Sequence, residues 1–131
     1  MSIALDMVGL VVANIEDSIR FYRLLGITIP DPDPESPYAE ATLPSGLRIS
    51  WNQIEMIKSI DPDWVQPVGQ RVSMAFLCDS PEAVDNRFEV LTSAGYKGHK
   101  EPWDAFWGQR YAIVLDPDGL AVDLFAYLPE V

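Results

Sequence analysis

Cysteine and histidine are almost absent from this chain, which has one of each, Cys78 and His99, in 131 residues. A single cysteine cannot close an internal disulfide, and one histidine cannot build the His/Cys cluster that a tightly held transition metal needs. Cys78 ends the apolar run Val72–Cys78, where packing is its expected role and apolar surroundings would raise a thiol pKa rather than activate it. His99 lies between Gly98 and Lys100 in a polar segment and reads as a surface side chain. Positive charge is also scarce: nine Lys and Arg face twenty Asp and Glu, a formal net charge of −11. That balance repels nucleic acid and anionic lipid and favours cationic partners, although solubility alone also accounts for it. No stretch of about twenty apolar residues is present, so no membrane span is expected. The amino terminus lacks a basic segment leading into an unbroken apolar core, and a cytoplasmic location is expected. The chain has no glycine-rich phosphate loop, no Gly-x-Ser-x-Gly elbow and no basic run, which removes support for nucleotide hydrolysis, serine hydrolysis and nucleic-acid binding.

What is present is 48% hydrophobic and 11% aromatic content, enough for one domain with a real core. The sharpest signal is Phe106–Leu128, a long β-hairpin turned by Asp116-Pro117-Asp118-Gly119. Pro117 presets φ, the Asp side chains can bond backbone N–H groups, and Gly119 supplies positive φ. Tyr111, Ile113 and Leu115 alternate on one flank, and Leu120, Val122 and Leu124 on the other. Asp123 interrupts that second apolar run, on the same strand face as Phe125 and Tyr127. It either faces solvent, pairs with an arginine, or points into a ligand cavity. A three-residue loop with a bulge at Gly119 and a four-residue loop differ by one residue in pairing, so either Arg110 or Tyr111 shares the face of Asp123.

Earlier in the chain, Ile3–Val12 reads as a strand, and Asn14 caps a helix with Ile15, Ile19, Tyr22 and Leu25 at helical spacing before Gly26. Pro30, Pro32, Pro34 and Pro37 mark an exposed loop. Strands at Tyr38–Leu43 and Leu47–Trp51 follow, joined at Pro44-Ser45-Gly46, and this half reads βαβββ. Residues 53–69 read as a connector with one short helical turn. Arg71–Cys78 is a second strand, Ser80 caps a helix with Pro81 at its first position and Ala83, Val84, Phe88 and Leu91 as its stripe, and Gly95 ends it. With Tyr96–Trp103 extended and the hairpin behind it, the second half is again βαβββ. The expected fold is α+β, a single domain of two βαβββ modules, about 1–52 and 70–131, forming an open cup-shaped mixed sheet with helices outside.

Three motifs carry a family resemblance: Leu5-Asp6-Met7-Val8-Gly9-Leu10-Val11-Val12, Phe21-Tyr22-Arg23-Leu24-Leu25-Gly26, and Phe106-Trp107-Gly108 with the Asp116–Gly119 turn. In order and spacing they resemble the vicinal oxygen chelate superfamily of glyoxalases, extradiol dioxygenases and bleomycin-resistance proteins. The resemblance implies a cup-shaped sheet, often in a homodimer, with the ligand in the cup or at the subunit junction. It also implies, for the enzymes, a divalent ion held by histidines and carboxylates. At the matching places this chain has Met7, about Ser73, and Asp123, with Ser50 or Trp51 at the fourth and Glu40 close by in another register. A thioether and a hydroxyl are poor ligands for such ions, so no metal and no cofactor are expected.

Trp51, Trp64, Trp103, Phe106 and Trp107, with Tyr38 and Phe125, could line a cup and stack on a planar ligand; core packing is the other reading of each. Trp103 and Trp107 stand beside Pro102 and Gly108, where an apolar stretch on a bend often marks a binding site. The segment resembles the drug-binding branch. Two functions stay open: a non-enzymatic protein sequestering an aromatic or cationic small molecule, such as an antibiotic, with Asp123 supplying charge, and a divergent lyase, isomerase or dioxygenase.

Overall fold

A computed structural model describes residues 2–130 and divides the chain into two compact units, Met1–Pro67 and Val68–Val131. No helix among the described residues is long and apolar enough to cross a membrane.

The first unit holds β1 (Met7–Val12), α1 (Ile15–Leu25), β2 (Tyr38–Thr42), β3 (Arg48–Gln53) and α2 (Ile54–Ile60). Its sheet order is β1-β3-β2, with β1 parallel and β2 antiparallel to β3. Helix α1 begins where the Asn14 side chain accepts the Asp17 N–H at 3.0 Å and ends at Gly26, whose φ of 126° is open to glycine alone at little strain. Ile15, Ile19, Tyr22 and Leu25 are buried as their spacing predicts, and Phe21 and Ser18 join them. Strand β1 starts four residues later than expected because Ile3 and Leu5 are exposed, so extending it would bury nothing.

This half is βαββ, not βαβββ. In the second unit an additional strand lies between the helix and the final hairpin, and the corresponding stretch here is the segment carrying Pro30, Pro32, Pro34 and Pro37. Four residues without an N–H cannot build a paired strand. Instead the Arg23 guanidinium ties the segment down, donating to the Ile29 carbonyl at 2.7 Å and to Asp31 at 2.8 Å. The connector is also more ordered than one helical turn, since α2 runs over seven residues until Asp61, extended before Pro62, ends it.

The second unit holds β4 (Met74–Leu77), α3 (Pro81–Ser93), β5 (Gly98–Ala105), β6 (Gln109–Leu115) and β7 (Ala121–Tyr127), with sheet order β4-β7-β6-β5. Strand β4 runs parallel to β7, as β1 does to β3, and the remaining pairs are antiparallel. Ser80 caps α3 by accepting the Ala83 N–H at 3.1 Å. Val84 and Leu91 of α3 are buried, as are Ala112 and Val114 of β6 and Val122, Leu124 and Ala126 of β7. These alternate strand residues form the sheet face under the helix.

Gly98 marks the closest approach of β5 to α3: a Cβ there would lie 2.6 Å from Phe88 Cζ and 3.1 Å from Thr92 Cγ2. Gly98→Ala is therefore expected to destabilise the protein by about 1–3 kcal/mol through overpacking. A urea-unfolding midpoint unchanged from wild type would show that the Phe88 ring turns aside freely.

Candidate functional site

The hairpin pairs Leu115 with Ala121, and the Asp116 N–H donates to the Leu120 carbonyl at 2.9 Å, closing a three-residue loop, Pro117-Asp118-Gly119. Asp116 Oδ1 accepts the N–H groups of Asp118 and Leu120, both at 2.9 Å, and Gly119 adopts a φ of 86°. This geometry decides the register: Tyr111 faces Phe125 and Ile113 faces Asp123. Arg110 points to the helix side, held by Asp85 of α3 at 2.9 Å and Asp104 at 3.1 Å, which raise its pKa further. The arginine pairing considered for Asp123 does not form.

On the sheet face away from α3, one row of register partners runs Trp103, Tyr111, Phe125, Leu77 across all four strands. Tyr111 is the hub. Its ring lies 5.5 Å from Trp103, 5.3 Å from Trp107 and, nearly parallel, 6.2 Å from Phe125. Trp103 and Trp107 meet edge to face at 6.0 Å, Phe106 meets Trp107 at 5.0 Å, and Tyr127 meets Phe125 at 5.9 Å. Among the less exposed rings such pairs contribute about 0.5–1.5 kcal/mol each beyond burial, so the cluster around Tyr111 holds its rings in place. It is nevertheless open. The β5–β6 turn carries Phe106 at 96% and Trp107 at 47% exposure, with Gly108 at positive φ making the bend. Trp107 Nε1 donates to Gln109 Oε1 at 2.8 Å, fixing the indole plane. The Lys100 ammonium sits 4.6 Å from the Trp103 ring centre, so this face already accommodates a cation.

Beside the row, at the next position of β7 on the same face, Asp123 Oδ2 accepts the Tyr111 hydroxyl at 2.6 Å. Burial first, then the hydrogen bond to and charge of Asp123, push the Tyr111 pKa up to about 12. Asp123 is 7% exposed, and among the described residues no donor reaches its buried Oδ1.

Of the residues singled out in the sequence, Trp103, Phe106, Trp107, Phe125 and Asp123 come together on this face. The other three belong to the first unit. Trp51 is fully buried against Tyr22, ring centres 5.5 Å apart, and is a core residue. Trp64 is half-buried beneath Lys58 at 5.9 Å. The Tyr38 hydroxyl donates to Met7 Sδ at 3.4 Å and lies 3.3 Å from Glu40 Oε1. Tyr111, one of the two residues that could share the face of Asp123, completes the site together with Tyr127 and Lys100. The signal for Tyr111 was the turn, since a three-residue loop at Gly119 places it opposite Phe125.

The residues present do not suit a divalent ion. Met7 Sδ is engaged by Tyr38, Glu40 Oε2 by Arg48 at 3.0 Å, and Ser50 Oγ by the Asn52 amide at 3.0 Å. Ser73 is exposed outside any strand. Among the described residues no three His, Cys, Asp or Glu side chains gather as a ligand set. Burial pushes the Cys78 thiol up, away from the reactive thiolate.

Residues 4–124 match the family model of the Glyoxalase/Bleomycin resistance protein/Dioxygenase superfamily. No curated protein matches the chain. Among solved structures, a glyoxalase/bleomycin resistance protein/dioxygenase from Nocardioides is 25% identical, the match covering 100% of this chain and 87% of that one with a TM-score of 0.78. A glyoxalase/bleomycin resistance protein/dioxygenase family enzyme from Burkholderia phytofirmans PsJN is 21% identical over 95% of this chain and 98% of that one, with a TM-score of 0.84. A glyoxalase-related enzyme from Fulvimarina pelagi is 18% identical over 94% and 87%, with a TM-score of 0.82. The α+β architecture, with seven strands in two mixed sheets and three helices among the described residues, matches the fold of these structures. The chain belongs to the glyoxalase/bleomycin resistance protein/dioxygenase superfamily.

Proposed function

We propose that this protein binds and sequesters a planar aromatic, cationic small molecule of the antibiotic-like kind, on the aromatic face of β5, β6 and β7. The observation that carries the reading is the Tyr111-centred ring cluster, open at Phe106 and Trp107 and backed by the carboxylate of Asp123. Rings held edge to face present fixed π-surfaces on which a planar ligand stacks without first ordering the site. The formal net charge of −11 attracts a cation from a distance, and the rings not covered by Lys100 offer it a face. Nothing in the donor sets of Met7, Ser73 and Asp123 favours the lyase, isomerase or dioxygenase reading over binding alone.

Titration with a planar aromatic cation such as proflavine, followed by calorimetry, tests this. Trp107→Ala removes one stacking face worth roughly 0.5–2 kcal/mol and is expected to weaken binding several-fold to about thirtyfold. Equal affinity of Trp107→Ala and wild type for a bound planar cation would remove the stacking surface from the reading. Absence of binding by wild type to any of a panel of such cations would remove the reading itself.

A further inference from the structure

The buried carboxylate beside the aromatic row specifies more than charge. Asp123 sits nine-tenths buried with its two oxygens in different situations: Oδ2 is held by the Tyr111 hydroxyl at 2.6 Å, and Oδ1 receives no hydrogen bond from the described residues. A carboxylate oxygen removed from water without a donor is costly, and a side chain normally avoids that state by pairing with an arginine or lysine. Neither is available. Arg110 is turned to the helix side by Asp85 and Asp104, and Lys100 rests over Trp103.

The neighbours of Asp123 on this face show where a donor could enter. Its register partners are Ile113 on β6 and Ala75 on β4, and Phe125 follows two residues along β7. Ala75 is the smallest of these and is exposed, as is Leu77 beyond it on the β4 edge of the sheet. The terminal torsion of an aspartate is broad, so the carboxylate can turn without an off-rotamer side chain, and the small, exposed Ala75 beside it offers the least obstruction to an incoming donor. The Tyr111 hydroxyl limits that turn and keeps the second oxygen for the incoming group.

We propose that Asp123, positioned by Tyr111 and approached across Ala75, is an anchor for an N–H-bearing cation, so that the ligand is a protonated primary or secondary amine carried on a planar ring. The inference rests on the aromatic-cation reading above and narrows it. A quaternary ammonium carries the same charge and satisfies the ring faces equally well, but it has no proton to give to Oδ1. A guest without that proton leaves the oxygen as it is, so discrimination arises from the unmade hydrogen bond and not from charge.

The test uses two probes of equal charge and ring system, naphthylmethylammonium and its N,N,N-trimethyl counterpart, titrated calorimetrically into the full chain. Wild type is expected to bind the amine about tenfold or more tightly than the trimethyl compound, the usual consequence of one charge-assisted hydrogen bond. Asp123→Asn keeps the shape and is expected to lose that preference. Ala75→Leu, at an exposed position where misfolding is not expected, should lower amine affinity toward the trimethyl level. Equal binding of the two probes by wild type overturns the proposal, and if Trp107→Ala still weakens both, the stacking reading survives it. A preference retained in Asp123→Asn, with circular dichroism showing an intact fold, also overturns it. Failure of wild type to bind either probe overturns both readings.

Discussion

Trp51→Ala is expected to lower the free energy of unfolding by about 3–5 kcal/mol, among the largest effects available to a single substitution in this chain. The indole has no exposed surface and lies against Tyr22, which is itself fully buried and meets Phe21 edge to face at 4.9 Å. Truncation there removes the largest side chain in the first unit's core and leaves a cavity that α1 and β3 can close only by moving whole elements. Trp51→Phe should be much milder. It removes less volume, and it also removes an indole N–H that is buried with no acceptor among the described residues. The useful contrast is Phe106→Ala, expected to stay within about 0.5 kcal/mol because that ring is 96% exposed. Urea unfolding followed by far-ultraviolet circular dichroism compares all three without depending on tryptophan emission. A Trp51→Ala loss below about 1 kcal/mol would mean that the indole is not packed as described.

The contrast between Trp51 and Trp107 shows what could be read from the residues and what could not. Both are candidates for a ligand surface in the sequence, Trp107 the stronger for its place on a bend beside Gly108. Their fates follow from strand parity: Ile49 and Trp51 share a face of β3 and are buried together, whereas Trp107 sits outside any strand in a two-ended bend with Gly108. The caps were legible because their chemistry is local, and Asn14 and Ser80 each accept the N–H three residues on. The hairpin turn was legible for the same reason. Its register was not, since three- and four-residue loops both suit Asp-Pro-Asp-Gly and only the closed pair Leu115–Ala121 separates them. That one-residue ambiguity leaves Arg110 and Tyr111 as alternatives on the face of Asp123, and the hub of the site follows only once it is settled. The four prolines of residues 30–37 read as an exposed loop and form one, which leaves the first half a strand short of the second.

The pairing of Tyr111 with Asp123 should also be visible in the alkaline limb of stability. Wild type is expected to lose, between about pH 10 and 12, a stabilisation that Tyr111→Phe does not have. The phenol's pKa rises from 10.0 in its unperturbed state to about 12 in the folded protein, first because burial disfavours the phenolate and then because Asp123 accepts its proton in a hydrogen bond and repels the anion. The folded state therefore holds this proton more tightly than the unfolded chain. Its contribution is fully present below about pH 10 and disappears as the pH rises through about 12. Two units correspond to at most about 2.7 kcal/mol, and partial solvent exposure of the ring brings the expected value to on the order of 1–2 kcal/mol. The informative quantity is the difference between wild type and Tyr111→Phe, measured as urea-unfolding free energies at about pH 8 and about pH 11.5. The gap should narrow at the higher pH. In Asp123→Asn the burial contribution remains while the carboxylate's charge is gone, and the corresponding narrowing in an Asp123→Asn and Asp123→Asn/Tyr111→Phe pair should be smaller. A wild-type gap that is the same at both pH values would show that the Tyr111 hydroxyl is solvated in the folded protein and that the carboxylate of Asp123 stands without the partner that positions it.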